Sequence, residues 1–258
     1  MRTWVLGSVV SVLAATSAMA DRAFPYTWTS TTQANGTTDA ELWVSVRSGR
    51  PTSYDLLEVR GWASAGVSKR VDVHFGLEAE VLMLRREQRT FDGRVSALAR
   101  YRLFDPDDVL GVALLARAGF GVATAVLEGR LVLDRKLGDV WLALNSSYER
   151  TVFWDRREAI DTRLEHSFAA RFLVTPDVSA GFEVRGRQAF LSGAYQGTAL
   201  YVGPTLSIST KWVWFSVGAV AQVGADKIEA DRGNGEHVIF RDDERFSLRL
   251  IVGAPTAK

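Results

Sequence analysis

Few side chains in this 258-residue chain have types and spacing suited to covalent chemistry, because it holds three histidines and no cysteine. Thiolate nucleophiles, thiolate metal sites and disulfide frameworks are therefore excluded. His166 lies in the alternating stretch 160–172, and a chain reversal near Arg156 brings Ser146 close to it on a neighbouring strand. A serine within hydrogen-bond reach of a histidine can act as a nucleophile when a third residue orients the ring. No Asn, Asp or Glu has the alternation parity to do so, so no catalytic residue is assigned and no enzyme is expected. His74 falls between Asp72 and Glu78 and reads as one member of a charge mesh, while His237 sits in a long polar loop. That loop, DKIEADRGNGEHVIFRDDE, carries Asp226, Glu229, Asp231, Asn234 and Glu236 without the order of a calcium-binding loop, and reads as an acidic loop. No phosphate-loop, dinucleotide or zinc spacing occurs, so neither metal nor cofactor is expected.

The elements that must position these residues are strands. In RVDVHFGLEAEVLMLR, residues 70–85, Val71, Val73, Phe75, Leu77, Ala79, Val81 and Met83 alternate with Asp72, His74, Glu78 and Glu80. A helix would spread those charges around its circumference, whereas a strand puts them all on one face. The same alternation recurs near 42–47, 57–65, 95–103, 110–120, 127–134, 140–149, 160–172, 178–187, 200–209, 213–223 and 246–252. About twelve strands result, several long for a globular sheet. Every second connection is tight and rich in Gly, Pro, Asp or Ser, as at Asp105-Pro106-Asp107-Asp108, Lys136-Leu137-Gly138-Asp139 and Thr175-Pro176-Asp177. The others (REQRTFDG, DRREAI, LSGAYQG and the acidic loop) are longer and polar, and no turn residue marks the reversal after Phe120.

Ahead of the strands, residues 1–20 combine Arg2, an apolar run from Trp4 to about Ala15 and small residues at Ala18 and Ala20, the pattern of a secretory signal peptide. Residues 21–37 are polar and unpatterned and are expected as a periplasmic N-terminal segment, either free or tucked into the barrel as a plug. Residues 38–258 are expected to form the barrel. A mean hydropathy of +0.00 accords with alternating strands. A net charge of +1 gives no case for nucleic acid.

Export, absent cysteine, alternating strands and paired turn lengths together resemble a Gram-negative outer-membrane β-barrel protein, on architecture and without a motif of one family. The resemblance implies an all-β, closed antiparallel transmembrane barrel with short periplasmic turns and longer extracellular loops. It also implies placement in the cell outer membrane, contact with outer-membrane lipid and lipopolysaccharide, and handling by the barrel assembly machinery.

Polarity then separates inside from outside, because an Arg or Lys on the lipid face at the bilayer midplane costs about 2–4 kcal/mol. The charged parity must line the lumen: Glu41, Glu58, Arg60, Glu78, Glu80, Arg100, Arg102, Arg117, Arg130, Glu149, Arg163, Glu165, Arg171, Glu183, Arg185 and Arg187. A reversal near Arg89 sets Glu78 opposite Arg100. One at Pro176 sets Glu165 opposite Arg187 and Glu183 diagonal to Arg171, and one near Arg156 sets Glu149 opposite Arg163. On a larger scale, a wall of Arg163, Arg171, Arg185 and Arg187 is expected to face Glu41, Glu58, Glu78 and Glu80 across the lumen. Tyr148, Phe153, Trp154, Trp212, Trp214 and Phe246 are candidates for interfacial aromatic girdles, while Trp141 and Trp212 carry lumen parity. The expected function is passage of small polar solutes through an Arg/Glu-lined channel; the alternatives are a closed structural barrel and a lipid-modifying hydrolase.

Overall fold

The computed structural model of the chain describes residues 23–48, 54–84, 89–154, 160–227 and 244–256. Twelve strands follow one another: β1 (Thr38–Ser48), β2 (Tyr54–Gly66), β3 (Val71–Leu84), β4 (Arg89–Phe104), β5 (Gly111–Gly121), β6 (Thr124–Leu137), β7 (Val140–Phe153), β8 (Ile160–Thr175), β9 (Val178–Leu191), β10 (Ala194–Ser209), β11 (Trp214–Lys227) and β12 (Phe246–Thr256). Each pairs antiparallel with its neighbours in sequence, and β1 pairs with β12, from Thr38 opposite Thr256 to Ser48 opposite Phe246, which closes the barrel. Closure gives every strand a partner on both sides and leaves no edge strand, the condition for a sheet to cross a membrane. The expected strand count, order and closed transmembrane-barrel architecture are those observed.

The period of two sets the two faces. Leu77, Phe120, Leu127, Leu144, Phe172 and Leu250 point outward and are exposed, forming part of an apolar outer band. Glu78, Asn145, Ser247 and Arg249, on the alternate positions of their strands, point inward and are buried. A barrel in water would show the reverse arrangement.

Both chain ends of the barrel lie at one mouth, the terminal end, with the reversals at 67–70, 105–110, 138–139, 176–177 and 210–213. The opposite, loop end departs from expectation. The reversal after Phe120 is made by Val122 and Ala123 alone, and that within LSGAYQG by Ser192 and Gly193 alone. Ser192 (φ 49°) and Gly193 (φ 84°) are both left-handed, as a tight hairpin turn with two central positive φ angles requires. The remaining polar residues of that stretch continue the ladder of β10 instead of forming a loop. Residues 49–53, 85–88, 155–159 and 228–243, over which the longer connections are expected, lie outside the described residues, as do 1–22 and 257–258.

One register differs for the same reason. Thr90, Phe91 and Asp92 keep the alternation going, so β4 starts at Arg89 and the reversal centres nearer residue 86. Glu78 therefore faces Arg94, not Arg100, and Arg100 faces Asp72. The other pairings stand: Glu149 opposite Arg163, Glu165 opposite Arg187, and Ser146 opposite His166. Among the aromatics, Trp154 and Trp212 are exposed toward opposite ends, and Tyr148 and Phe246 are exposed on the outer face. Trp214 is corrected from girdle to core, with no exposure, because its cross-strand partner Gly253 has no side chain and the indole fills that space.

Candidate functional site

The lumen holds two layers built from different parts of the chain. The lower layer, in the terminal half, is the N-terminal segment 23–36, which lies inside the barrel. It forms an inverted U. One arm starts near the mouth, where Ser207 Oγ donates to Ala23 O at 3.4 Å and Phe24 packs with Trp141, Ala143 and Ala169. The apex is Tyr26–Trp28, and the other arm descends past Ser30 and Gln33 to Gly36, whose N–H donates to Gly66 O at 2.9 Å at the start of the β2–β3 turn. Of the two placements open for this segment, the structure has the tucked one.

A segment without its own secondary structure must find partners for its buried backbone groups, and lumen side chains supply them. Glu183 accepts from the N–H groups of Tyr26 (3.1 Å) and Thr27 (2.7 Å). Asn145 accepts from Trp28 N–H at 2.7 Å and donates to Trp28 O at 2.9 Å. Asp134 accepts from Ser30 N–H at 3.1 Å, and Asp72 from Gln33 N–H at 2.9 Å. Side chains add to the seat. The Tyr26 hydroxyl lies 3.1 Å from Ser247 Oγ, and Trp28 joins Trp43, Trp62 and His74 in a cluster of rings 5.7–6.5 Å apart. Arg100, paired to Asp72, also donates to Thr29 O at 3.2 Å.

Above this closure runs a belt of ion pairs. Glu58 meets Arg47 at 3.1 Å, Arg60 at 2.5 Å and Arg249 at 3.8 Å. Glu78 accepts from Ser96 at 2.6 Å and pairs with Arg94 at 3.3 Å. Arg117 is the hub: its three nitrogens reach Glu78 (2.9 Å), Glu128 (2.9 Å) and Glu149 (2.8 Å). Arg130 joins Glu128 at 2.7 Å, and Arg163 joins Glu149 at 3.4 Å and Asp161 at 3.0 Å. Glu165 takes Arg185 at 2.8 Å and Arg187 at 2.7 Å, and Arg187 continues to Glu244 at 2.9 Å. Between belt and closure is a cavity of about 110 Å³. Nine arginines and five glutamates, Glu80 among them, line it, and Tyr26, Trp28, Trp43 and Trp62 contribute aromatic surface.

The remaining sequence-derived lumen residues lie lower. Glu41 accepts from Trp43 Nε1 at 2.7 Å. Arg171 sits over the Trp141 ring at 4.7 Å and donates to Ser179. Arg102 guards the mouth, bound to Asp105 at 2.5 Å and Lys69 O at 2.6 Å. Glu183 lies diagonal to Arg171 in the ladder, as expected, and its carboxylate serves the closure. The expected opposition of an arginine wall to a carboxylate wall is corrected. Arg163, Arg185 and Arg187 of one wall meet Glu149 and Glu165, and Glu58 and Glu78 of the other meet Arg47 and Arg94, all on neighbouring strands and within 3.4 Å, so these charges are neutralised within their own walls.

Arg47, Asp72, Asp92, Arg94, Glu128, Asp134, Asn145, Asp161, Glu244 and Arg249 complete the two layers beyond the lining residues expected from sequence. All but Glu244, which precedes β12, lie on the inward parity of a strand, the one signal that could find them. His166 and Ser146 are neighbours on the exposed outer face, as expected. Most of the acidic loop, with His237, lies outside the described residues. Among the described residues no group of three or more His, Cys, Asp or Glu is placed to hold a metal ion.

No family model and no curated protein sequence matches the chain. Solved structures do. An outer-membrane channel from Pseudomonas putida F1 superposes with a TM-score of 0.60 at 13% identity, covering 88% of this chain and 98% of that one. The NanC porin gives 0.55 at 12% identity, with 83% and 98% covered. The translocator domain of the autotransporter NalP from Neisseria meningitidis gives 0.53 at 8% identity, with 87% and 90% covered. At such identities the likeness is one of fold alone: the chain folds as a closed β-barrel like those of these outer-membrane proteins.

Proposed function

We propose that this chain is an outer-membrane channel for small polar solutes, with its terminal end toward the periplasm, held closed by its own N-terminal segment. The observation that carries the reading is the path of residues 23–36, whose two arms meet the same mouth. A segment that enters and leaves by one opening can withdraw without threading the barrel. Its anchors Glu183, Asn145, Asp134 and Asp72 are polar groups that water can satisfy once the segment has gone. Withdrawal would leave a hydrophilic passage leading to the charged belt.

The interlocked belt favours a second reading, a permanently closed barrel, since Arg117 alone ties together strands β3, β5, β6 and β7. Swelling of proteoliposomes in small neutral solutes separates the two. A variant lacking residues 23–34 should admit solutes faster than the intact chain under the channel reading. Equal, protein-free rates for both would support the closed barrel.

A further inference from the structure

Two arginines belong to both layers of the lumen. Arg185 donates to Glu165 Oε2 at 2.8 Å within the belt, while its guanidinium carbon lies 4.3 Å from the centroid of the Tyr26 ring in the closure. Arg249 lies 3.8 Å from belt residue Glu58, donates to Pro25 O at 3.3 Å and sits 4.5 Å from the same ring. Both side chains are more than nine-tenths buried, and both line the cavity. A cation's attraction to an aromatic face strengthens where water is excluded, so the apex of the closure is held by the same charges that face an incoming solute.

The cavity wall also has donors to spare. The Nε–H groups of Arg185 and Arg94 and the indole N–H of Trp62 are buried in that wall and make no hydrogen bond among the described residues. Glu58 Oε1 makes none either, but Arg60 Nε is 2.5 Å away and compensates its charge. Unmade donors on guanidinium groups fit a ligand that only accepts, and oxyanions match guanidinium best. We infer that a small oxyanion entering from the loop end binds Arg185 and Arg249 and, by drawing them from Tyr26, releases the closure.

The coupling follows from competition. An anion shifts an equilibrium only by as much as it binds one state better than the other. With the segment seated, Tyr26 occupies both guanidinium groups; with it withdrawn, they are open to the anion. By reciprocity, loss of Tyr26 should tighten anion binding. The inference rests on the reading of residues 23–36 as a removable closure, and it names the chemistry that removes it.

The test places a reporter in the closure of the full chain. Ser30 is fully buried and the native sequence has no cysteine, so Ser30→Cys gives a single thiol whose reaction with a maleimide reports withdrawal. Inorganic phosphate should accelerate labelling at least about tenfold over chloride at equal ionic strength, a shift smaller than the full loss of two desolvated cation–aromatic contacts would allow. Adding Arg185→Gln with Arg249→Gln should raise the basal rate and abolish the phosphate response. Should that variant fail to fold, Tyr26→Ala, which leaves the barrel wall intact, should do the same. Equal rates in phosphate and chloride, or a phosphate response that survives Tyr26→Ala, would overturn the coupling while leaving the closure in place. No labelling in either salt would contradict the removable closure itself.

Discussion

Glu183 accepts hydrogen bonds from the backbone of Tyr26, 157 residues away in sequence, at 3.1 Å and, through its other oxygen, at 3.2 Å. A lumen carboxylate thereby serves as the seat of a segment that could otherwise lie free. Glu183→Ala leaves the N–H groups of Tyr26 and Thr27 without acceptors, at a cost of about 1–3 kcal/mol for an unsatisfied buried group. Labelling of Ser30→Cys in that background should be faster than with Glu183 present, and Glu183→Gln, which keeps one acceptor oxygen, should fall between.

Arg117 supports the belt in a different way. Its removal takes one guanidinium from Glu78, Glu128 and Glu149 at once and leaves them Arg94, Arg130 and Arg163 respectively, so the loss should approach the cost of breaking a buried ion pair, about 3–5 kcal/mol. Arg117→Ala should lower the temperature at which the folded barrel converts to the slow-migrating unfolded form in gel electrophoresis. Arg102→Ala, at the mouth, should shift it far less.

The outer face makes a separate prediction. Leu131 is 40% exposed near the middle of β6 and faces outward. Leu131→Arg should destabilise folding into lipid bilayers by about 2–4 kcal/mol, measured by denaturant titration in liposomes. Leu131→Phe should be close to neutral.

Much of the architecture is legible in the sequence because a barrel needs only a period of two and reversals at the right intervals. Asp72, Glu78 and Phe75 declare their faces without reference to any other strand. The register of β3 with β4 is not so marked, because Thr90-Phe91-Asp92 are polar enough to pass for loop yet alternate as strand. The closure was open to two placements because Tyr26, Thr27 and Trp28 have no period. Their partners Glu183 and Asn145 lie far along the chain, and a backbone N–H meeting a distant carboxylate leaves no local pattern. Inward parity also fails to say which charges pair along a wall and which face each other across the lumen. That depends on neighbouring register, as Arg185 and Arg187 converging on Glu165 show.

The most direct test of the account pins the closure in place. A side chain at Gly218 would place its Cβ 3.2 Å from Pro25 Cβ, near the separation a disulfide spans. Pro25→Cys combined with Gly218→Cys should therefore tether the segment to β11 on oxidation. In planar bilayers the account predicts discrete conductance steps for the reduced protein, silence after oxidation, and recovery on adding dithiothreitol. Steps of the same size and frequency in both forms, or silence in both, would contradict it.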